Sequence, residues 1–219
     1  MALIDVIFAD IHIGLSDSRW DAVLDTLKKL TTNENTTIGA IIFAGDTVDI
    51  TRAKPQQVTT DLNKFCKELK KLNLLHRSVF LHGNHDPTIN QLLTVPDCIL
   101  RPTVLLRFPD TNIFIVHGHG IGLEAAISCH GYTSTAFAAA KQRLIRYPPL
   151  WLQEPMSQND WLVACHYALP HIDFENRTAG LSPWTGSLDD NWHGHYLIIR
   201  SHPTRPILVL CKRDKPIPA

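Results

Sequence analysis

The sequence predicts an α/β domain in which two β-sheets pack face to face and helices cover their outer surfaces. Two observations lead to this prediction. Apolar runs that are typical of strands alternate with helical repeats in the first part of the chain, and further strand-like runs dominate the second part. The 219 residues suffice for one such domain with a sizeable core, and the 44% of apolar residues excludes a disordered chain.

The strands of the first part are predicted from continuous apolar runs. Leu3–Ala9 and Ile38–Ala44 are apolar almost throughout, which is typical of strands buried on both faces of a sheet. Val79–His82 predicts a shorter third strand. Because open α/β sheets place their chemistry just beyond the carboxyl ends of their strands, the polar segments that follow these runs are the first candidates for a functional site.

Two helices are predicted between these strands. The first runs to about Leu30, with Asp17 or Ser18 as its cap, because apolar residues recur there at helical spacing. The second begins at Pro55, which suits the first turn of a helix, and continues to Leu72 with one apolar face.

The second part of the chain is predicted to contain a hairpin, a helical segment and a strand-rich tail. Val104–Phe108 and Asn112–Val116 form the hairpin. Within residues 122–152, Thr135–Ile145 predicts a helix that Pro148 ends. We interpret 122–152 as a helical cap insertion in a single domain of residues 1–219. The strands of the tail are predicted at Trp161–Cys165, Ile172–Phe174, Tyr196–Ile199 and Ile207–Cys211.

Composition and charge argue against several classes of protein. The 21 basic and 21 acidic residues give a formal net charge of +0, which argues against a strong nucleic-acid footprint. No apolar run approaches the length needed to span a membrane, and residues 1–10 lack the basic region of a signal peptide. The five cysteines lack CxxC spacing, which indicates reduced thiols. Together these features predict a cytoplasmic location.

Several predicted strands end in residue types that bind metal ions. The motifs are DxH at residues 10–12, GDxxD at 45–49, GNHD at 83–86 and HGH at 117–119, and a further strand ends in Cys165-His166. One such ending is common turn chemistry, but this many together are difficult to explain as turns. Carboxylate, amide and imidazole groups in one site favour two transition-type divalent ions that share a carboxylate.

The order of these motifs, each after a strand, resembles the calcineurin-like metallophosphoesterase superfamily from Asp10 to His166. The resemblance implies a four-layer β-sandwich with flanking helices, and hydrolysis of phosphate esters by a metal-bridging hydroxide. It also implies a set of ligands. The first metal ion would be bound by Asp10, His12 and the bridging Asp46, and the second by Asp46, Asn84, His117 and His166.

The resemblance further implies a catalytic pair, with His85 as the general acid and Asp49 as the residue that orients and charges it. The chemistry agrees with these roles. A leaving alkoxide needs a proton, imidazole titrates in the right range, and a neighbouring carboxylate keeps the imidazole protonated.

The closing GHxH motif of the family is incomplete in this chain. The best match is at residues 165–168, because an apolar strand precedes it, and His166 fits the first His of the motif. Ala168 occupies the place of the second His, which would bind the first metal ion. A rival alignment places the motif at His202. His195 lies in a predicted loop at residues 193–195 and is kept as a candidate substitute ligand.

Two groups of residues leave alternatives open. Cys165 is either a thiolate ligand or, more commonly for such a position, a small buried residue at a strand end. Lys141, Arg143 and Arg146 either meet a substrate phosphate or form a solvated helix face.

The sequence therefore predicts a dinuclear-metal phosphoesterase. Mn²⁺ is the first expectation for both ions, with Fe, Zn and Ni as alternatives. The expected substrate is a small phosphate monoester or diester, and a nucleotide, a lipid precursor and a phosphoprotein all stay open. The alternative is a scaffold or binding protein of the same fold with a weakened metal site, which Ala168 favours.

Overall fold

The computed structural model describes residues 2–86, 99–152, 154–166, 170–186, 193–202, 205–213 and 215. The strands, in chain order, are β1 (Ala2–Phe8), β2 (Thr36–Phe43), β3 (Ser78–Leu81), β4 (Ile99–Arg101), β5 (Thr103–Phe108), β6 (Thr111–His117), β7 (Trp161–Cys165), β8 (His171–Asp173), β9 (Thr178–Gly180), β10 (His195–Arg200) and β11 (Ile207–Lys212). The α-helices are α1 (Trp20–Thr31), α2 (Pro55–Lys71), α3 (Leu123–His130) and α4 (Ser134–Arg146). Short 3₁₀ helices lie at Leu75–Arg77 and Gly118–Ile121.

The strands form two mixed sheets, which confirms the predicted fold class. The first sheet has the order β11-β10-β1-β2-β3-β4, and the second has the order β5-β6-β7-β9-β8. The pairs β1–β2, β2–β3 and β6–β7 are parallel, so their carboxyl ends lie at one edge of each sheet. The predicted hairpin is present as the antiparallel pair β5–β6.

Three apolar cores separate four layers. The first lies between α1, α2 and the outer face of the first sheet, the second lies between the two sheets, and the third lies between the second sheet and α3–α4. Because side chains alternate along a strand, each central strand supplies two of these cores. In β6, Ile113 and Ile115 face the first sheet, whereas Phe114 and Val116 face α4.

The helices form where the sequence places apolar residues on one face. In α2 the buried side chains recur every three to four residues, at Val58, Leu62, Phe65 and Leu69, and Pro55 occupies the first turn. The last turn carries Lys70 and Lys71, which oppose the negative end of the helix dipole. None of the helices in the described part of the chain is long and apolar enough to cross a membrane.

The segment predicted as a cap forms the fourth layer. In α4, Phe137, Ala140 and Leu144 are buried against the outer face of the second sheet. The suggestion that Lys141 meets a substrate phosphate is wrong. Lys141 is buried, and its Nζ donates hydrogen bonds of 2.9 Å to the carbonyls of Gln158 and Asn176. Burial, followed by the nearby Arg177, lowers the pKa of Lys141 to about 8.

Several local predictions need correction. The α1 helix begins at Trp20 without a side-chain cap, because Ser18 Oγ donates to the carbonyl of Ile11 instead. His195 is the first residue of β10 and does not lie in a loop, because it pairs with Lys212 of β11. The strands β4 and β9 are absent from the sequence prediction, and each has only three residues.

We expect Lys141→Met to lower the free energy of unfolding by about 1–3 kcal/mol, because two carbonyl groups lose the donor that the buried Lys141 provides. Chemical denaturation would measure the change. The matched control is Lys64→Met, since Lys64 is exposed on α2 and pairs only with Asp61 within the described residues. An equal effect of both substitutions would contradict the structural role of Lys141.

Candidate metal centre

The candidate site lies where the carboxyl ends of the two sheets meet. Asp10 follows β1 and Asp46 follows β2 in the first sheet, whereas His117 ends β6 and His166 follows β7 in the second. Parallel pairing places His117 opposite Cys165, so the two histidines emerge side by side. Motifs that are distant in the sequence are therefore brought to one point.

Four buried residues form the first group of metal-binding side chains: Asp10, Asp46, His117 and His166. Each offers one ligand atom, and these atoms all lie within 4.8 Å of one another. His117 Nε2 lies 3.2 Å from Asp10 Oδ1 and 3.3 Å from Asp46 Oδ2. His166 Nδ1 lies 3.8 Å from Asp46 Oδ2. Two carboxylates and two imidazoles can together hold a divalent transition ion.

The charges of this group compensate one another through His117. Burial lowers the pKa of His117, but hydrogen bonds to Asp10 and Asp46 outweigh burial and raise this pKa to about 10. Burial likewise raises the pKa of Asp46, but the hydrogen bond with His117, the nearby imidazole of His166 and the backbone N–H of His85 hold it well below its ordinary value. Without a metal ion, a protonated His117 therefore carries the positive charge that the carboxylates need.

A second group consists of His12, Asp49 and His85. Asp49 Oδ2 lies 3.0 Å from His12 Nδ1 and 3.3 Å from His85 Nδ1. Arg52 pairs with the same oxygen at 2.5 Å. Burial raises the pKa of Asp49, but hydrogen bonds from Arg52 and Thr51 lower it to about 2, so this carboxylate stays ionised. The predicted proximity of His85 and Asp49 is thus present in the structure.

The hydrogen bonds around His85 show which of its two ring nitrogens is already used within the protein. Thr51 Oγ1 donates to Asp49 Oδ1 at 2.9 Å and lies 2.6 Å from His85 Nδ1. Because that hydroxyl hydrogen is already used, Thr51 accepts a hydrogen bond from His85 Nδ1–H. His85 Nε2 is left as the nitrogen that can exchange a proton with a ligand.

Four of these residues have left-handed backbone conformations. The φ angles are 51° at Asp10, 52° at His12, 48° at Asp46 and 82° at His166. A positive φ is uncommon outside glycine and costs about 1–3 kcal/mol per residue. This strain turns the chain sharply after each strand and directs the side chains toward one another.

Two glycines permit close contact between the loops. A Cβ at Gly83 would fall on the backbone nitrogen of Asp46, and a Cβ at Gly118 would fall on the carbonyl oxygen of Cys165. Neither glycine has a positive φ, so the close approach of another backbone is the reason for glycine at both positions.

Asp86 is the last residue of the GNHD motif, and it makes contacts that the motif does not indicate. Its buried carboxylate accepts hydrogen bonds from the backbone N–H groups of Thr47, Val48 and Gly83 at 3.1, 2.8 and 3.1 Å. It thus joins the loop after β2 to the loop after β3. Burial and the charge of Asp46 raise the pKa of Asp86 to about 7.

The remaining predicted site residues are placed as follows. Asn84 is exposed in the turn before His85, whose backbone N–H donates to Asp46 Oδ1 at 2.8 Å. The gap at Ala168 lies outside the described residues. His195 Nδ1 lies 3.2 Å from Ser182 Oγ, and His195 belongs to neither group of metal-binding side chains.

Cys165 is fully buried at the end of β7. Burial, followed by the charges of Asp10 and Asp46, raises the pKa of its thiol well above the ordinary value. These features favour the reading of Cys165 as a small buried residue over a thiolate ligand.

Both groups border a cavity of about 380 Å³. It is lined by Asp10, His12, Leu15, Asp17, Asp46, Arg52, His85, His166, Pro183 and Thr185. Arg52 is the lining residue with a permanent positive charge. A larger cavity of about 570 Å³ includes Thr111 and Trp161, the first residues of β6 and β7, and therefore lies at the opposite edge of the second sheet. The smaller cavity is the one bordered by both groups of metal-binding side chains.

Comparison with family models finds a match over most of this chain. A model described as calcineurin-like phosphoesterase matches residues 6–202. The matched region extends from β1 to beyond β10 and contains both groups of metal-binding side chains. Comparison with curated proteins finds no match.

Three solved structures illustrate the likeness in fold. Yfce, a phosphoesterase from E. coli, is 18% identical with a TM-score of 0.53, over 96% of this chain and 100% of that one. Vacuolar Protein Sorting 29 from Cryptosporidium parvum is 14% identical with a TM-score of 0.54, over 95% and 90%. A predicted phosphoesterase from Streptococcus pneumoniae TIGR4 is 15% identical with a TM-score of 0.50, over 98% and 91%.

We expect Asp86→Ala to lower the free energy of unfolding by about 2–5 kcal/mol, because three buried N–H groups lose their acceptor. Urea denaturation of metal-free protein would measure this change. Asp110→Ala is the matched control, since Asp110 lies in an exposed turn. A loss below about 0.5 kcal/mol would show that Asp86 does not hold the two loops together.

We also expect metal affinity to rise with pH. The raised pKa of His117 means that its protonated form stabilises the metal-free fold fully below about pH 6.5, and that this contribution is lost as pH rises toward about 10. Because a metal ion must displace that proton, affinity should rise up to about tenfold per pH unit in this range. Calorimetric Mn²⁺ titration without oxygen at about pH 6, 7 and 8 would test it, and equal affinities would contradict it.

Proposed function

The chain belongs to the calcineurin-like phosphoesterase family, and on that premise we propose that it hydrolyses a phosphate monoester or diester with two bound divalent metal ions. One observation carries the proposal. The ligand atoms of Asp10, Asp46, His117 and His166, which come from both sheets, lie within 4.8 Å of one another. Asp10, Asp46 and His166 also line a cavity that is large enough for a small molecule.

The residues present fit divalent metal ions. Oxygen and imidazole donors of this mixed kind suit Mn²⁺, Fe²⁺, Zn²⁺ or Ni²⁺, and we take Mn²⁺ as the first candidate. The proton that His117 carries in the metal-free chain marks a place where positive charge is needed. When bound, such ions lower the pKa of a coordinated water and neutralise charge that develops on phosphate oxygens.

We assign the ligands in two sets. Asp10, His12 and Asp46 would hold the first ion, and Asp46, His117 and His166 would hold the second. Asp49 lies against His12 Nδ1, which leaves His12 Nε2 available as a donor atom. Asn84 as a further ligand of the second ion is supported by the family motif alone, since its side chain is exposed and does not line the cavity.

His85 is proposed as the general acid. It lines the cavity, and its Nδ1–H is held by Thr51 Oγ1. The ionised Asp49 lies beside it, with Oδ2 at 3.3 Å from His85 Nδ1. His85 would hold a second proton on Nε2 and deliver it to the oxygen of the leaving alcohol.

Arg52 and the size of the cavity bear on the substrate. The guanidinium of Arg52 can attract a phosphate while Asp49 keeps it in place. A cavity of about 380 Å³ favours a small phosphate ester. A nucleotide and a lipid precursor both satisfy these conditions, as does a phosphorylated side chain that projects from a protein.

The test is hydrolysis of bis(p-nitrophenyl) phosphate and p-nitrophenyl phosphate by protein loaded with Mn²⁺, before and after chelation. We expect activity that chelation abolishes and Mn²⁺ restores. Asp46→Asn should abolish activity and release at least one ion, since Asp46 is assigned to both. A folded wild-type protein that binds no metal would overturn the proposal and favour the scaffold alternative.

We expect His85→Asn to keep both metal ions but to lower turnover by about 10²–10⁴-fold for alkyl phosphate esters, which need a proton on the leaving oxygen. Aryl esters should lose less, because their leaving groups are already acidic. Steady-state kinetics with both ester types and elemental analysis would measure this. His76→Asn is the control, since His76 is exposed in the 3₁₀ helix before β3. Equal losses for both ester types would exclude His85 as the acid.

A further inference from the structure

We propose that Glu124 is a positioning residue that sets the tautomer of His166, an inference that rests on the proposed metal-dependent function. Glu124 lies in the first turn of α3, within the segment that forms the outer layer of the second sheet. Glu124 Oε1 lies 2.7 Å from His166 Nε2. No motif in the sequence indicates this contact, because the two residues are 42 positions apart.

The contact decides which nitrogen of His166 carries hydrogen. An ionised carboxylate can only accept a hydrogen bond, so His166 Nε2 must be the donor. In the neutral ring, Nδ1 then keeps its lone pair. Nδ1 is the nitrogen on the side of Asp46, at 3.8 Å from Asp46 Oδ2. Glu124 thus leaves the lone pair of His166 directed at the place where a cation would bind.

Two of the hydrogen bonds made by His166 bear on its position, and Glu124 provides one of them. The backbone N–H of His166 donates to Asp10 Oδ2 at 3.1 Å, which fixes the residue in its left-handed conformation. That bond does not determine the rotation of the ring. The hydrogen bond to Glu124 constrains it, because Nε2 faces Glu124 while Nδ1 lies on the side of Asp46.

The support for Glu124 itself comes from α3. Gly122, with φ of 75°, turns the chain into the helix, and Leu123 is fully buried beside Gly118. The neighbouring residue is therefore anchored, while the side chain of Glu124 remains 60% exposed. Only His166 is buried in this pair, and water screens the charge of Glu124, so the pair contributes modestly to folding. Its loss should consequently change metal binding and the state of His166 more than stability.

The test compares Glu124→Ala and Glu124→Gln with wild-type protein. Glu154→Ala is the matched control, because Glu154 is also a solvent-accessible carboxylate that accepts a hydrogen bond, from Arg107. Mn²⁺ titration measures affinity without any need for turnover. We expect Glu124→Ala to weaken Mn²⁺ binding by about 10–100-fold. Glu124→Gln keeps an acceptor oxygen and should recover part of that loss, and Glu154→Ala should change nothing.

A second measurement reads the tautomer directly. In metal-free protein, ¹⁵N-correlated NMR of the imidazoles should show His166 protonated on Nε2, with the signal assigned from its absence in His166→Gln. Glu124→Ala should shift His166 toward the other tautomer, while the protein stays folded with only a small loss of stability. An unchanged His166 spectrum in Glu124→Ala would overturn the inference. If the wild type bound no metal, the proposed function would fail, but the NMR result would still decide the role of Glu124.

Discussion

Asp10 joins the two sheets of this protein. Its backbone stays with the first sheet, where its N–H donates to the carbonyl of Gly45 at 3.1 Å. Its side chain belongs to the second sheet, since Oδ1 faces His117 and Oδ2 accepts the N–H of His166. A buried carboxylate is stable only when such partners surround it. The packing of the sheets and the arrangement of the site therefore depend on the same bonds.

The contacts of His117 with Asp10 and Asp46 also explain how the chain can fold with two carboxylates buried side by side. Two carboxylates that face each other would repel strongly in a buried environment. The proton on His117 supplies the opposing charge in the metal-free state, as its raised pKa indicates. In the proposed function, a proton on His117 and a metal ion would each supply the positive charge between these carboxylates. His117 therefore stabilises the metal-free fold and is also a predicted ligand.

Much of this arrangement is readable from the sequence, because the carboxyl ends of parallel strands converge. The apolar runs before Asp10, Asp46, His117 and His166 predict both the strands and the candidate metal-binding residues. What the sequence does not contain is the pairing of side chains across loops. Asp10 groups with the histidines of the second sheet, whereas His12, two residues later, lies against Asp49. The positive φ angles at Asp10 and His12 decide that separation, and no periodic pattern encodes them.

Gly83 and Gly118 have a consequence for how relatives of this protein should be compared. Each lies against the backbone of another loop, so a side chain there would push apart main-chain atoms that this fold brings together. A descendant that had lost catalysis could replace its acidic residues and histidines and would still need both glycines. Retention of these glycines during divergence therefore records inheritance of the architecture. Only the polar side chains around them can distinguish a working enzyme from a relative that has kept its shape for another purpose.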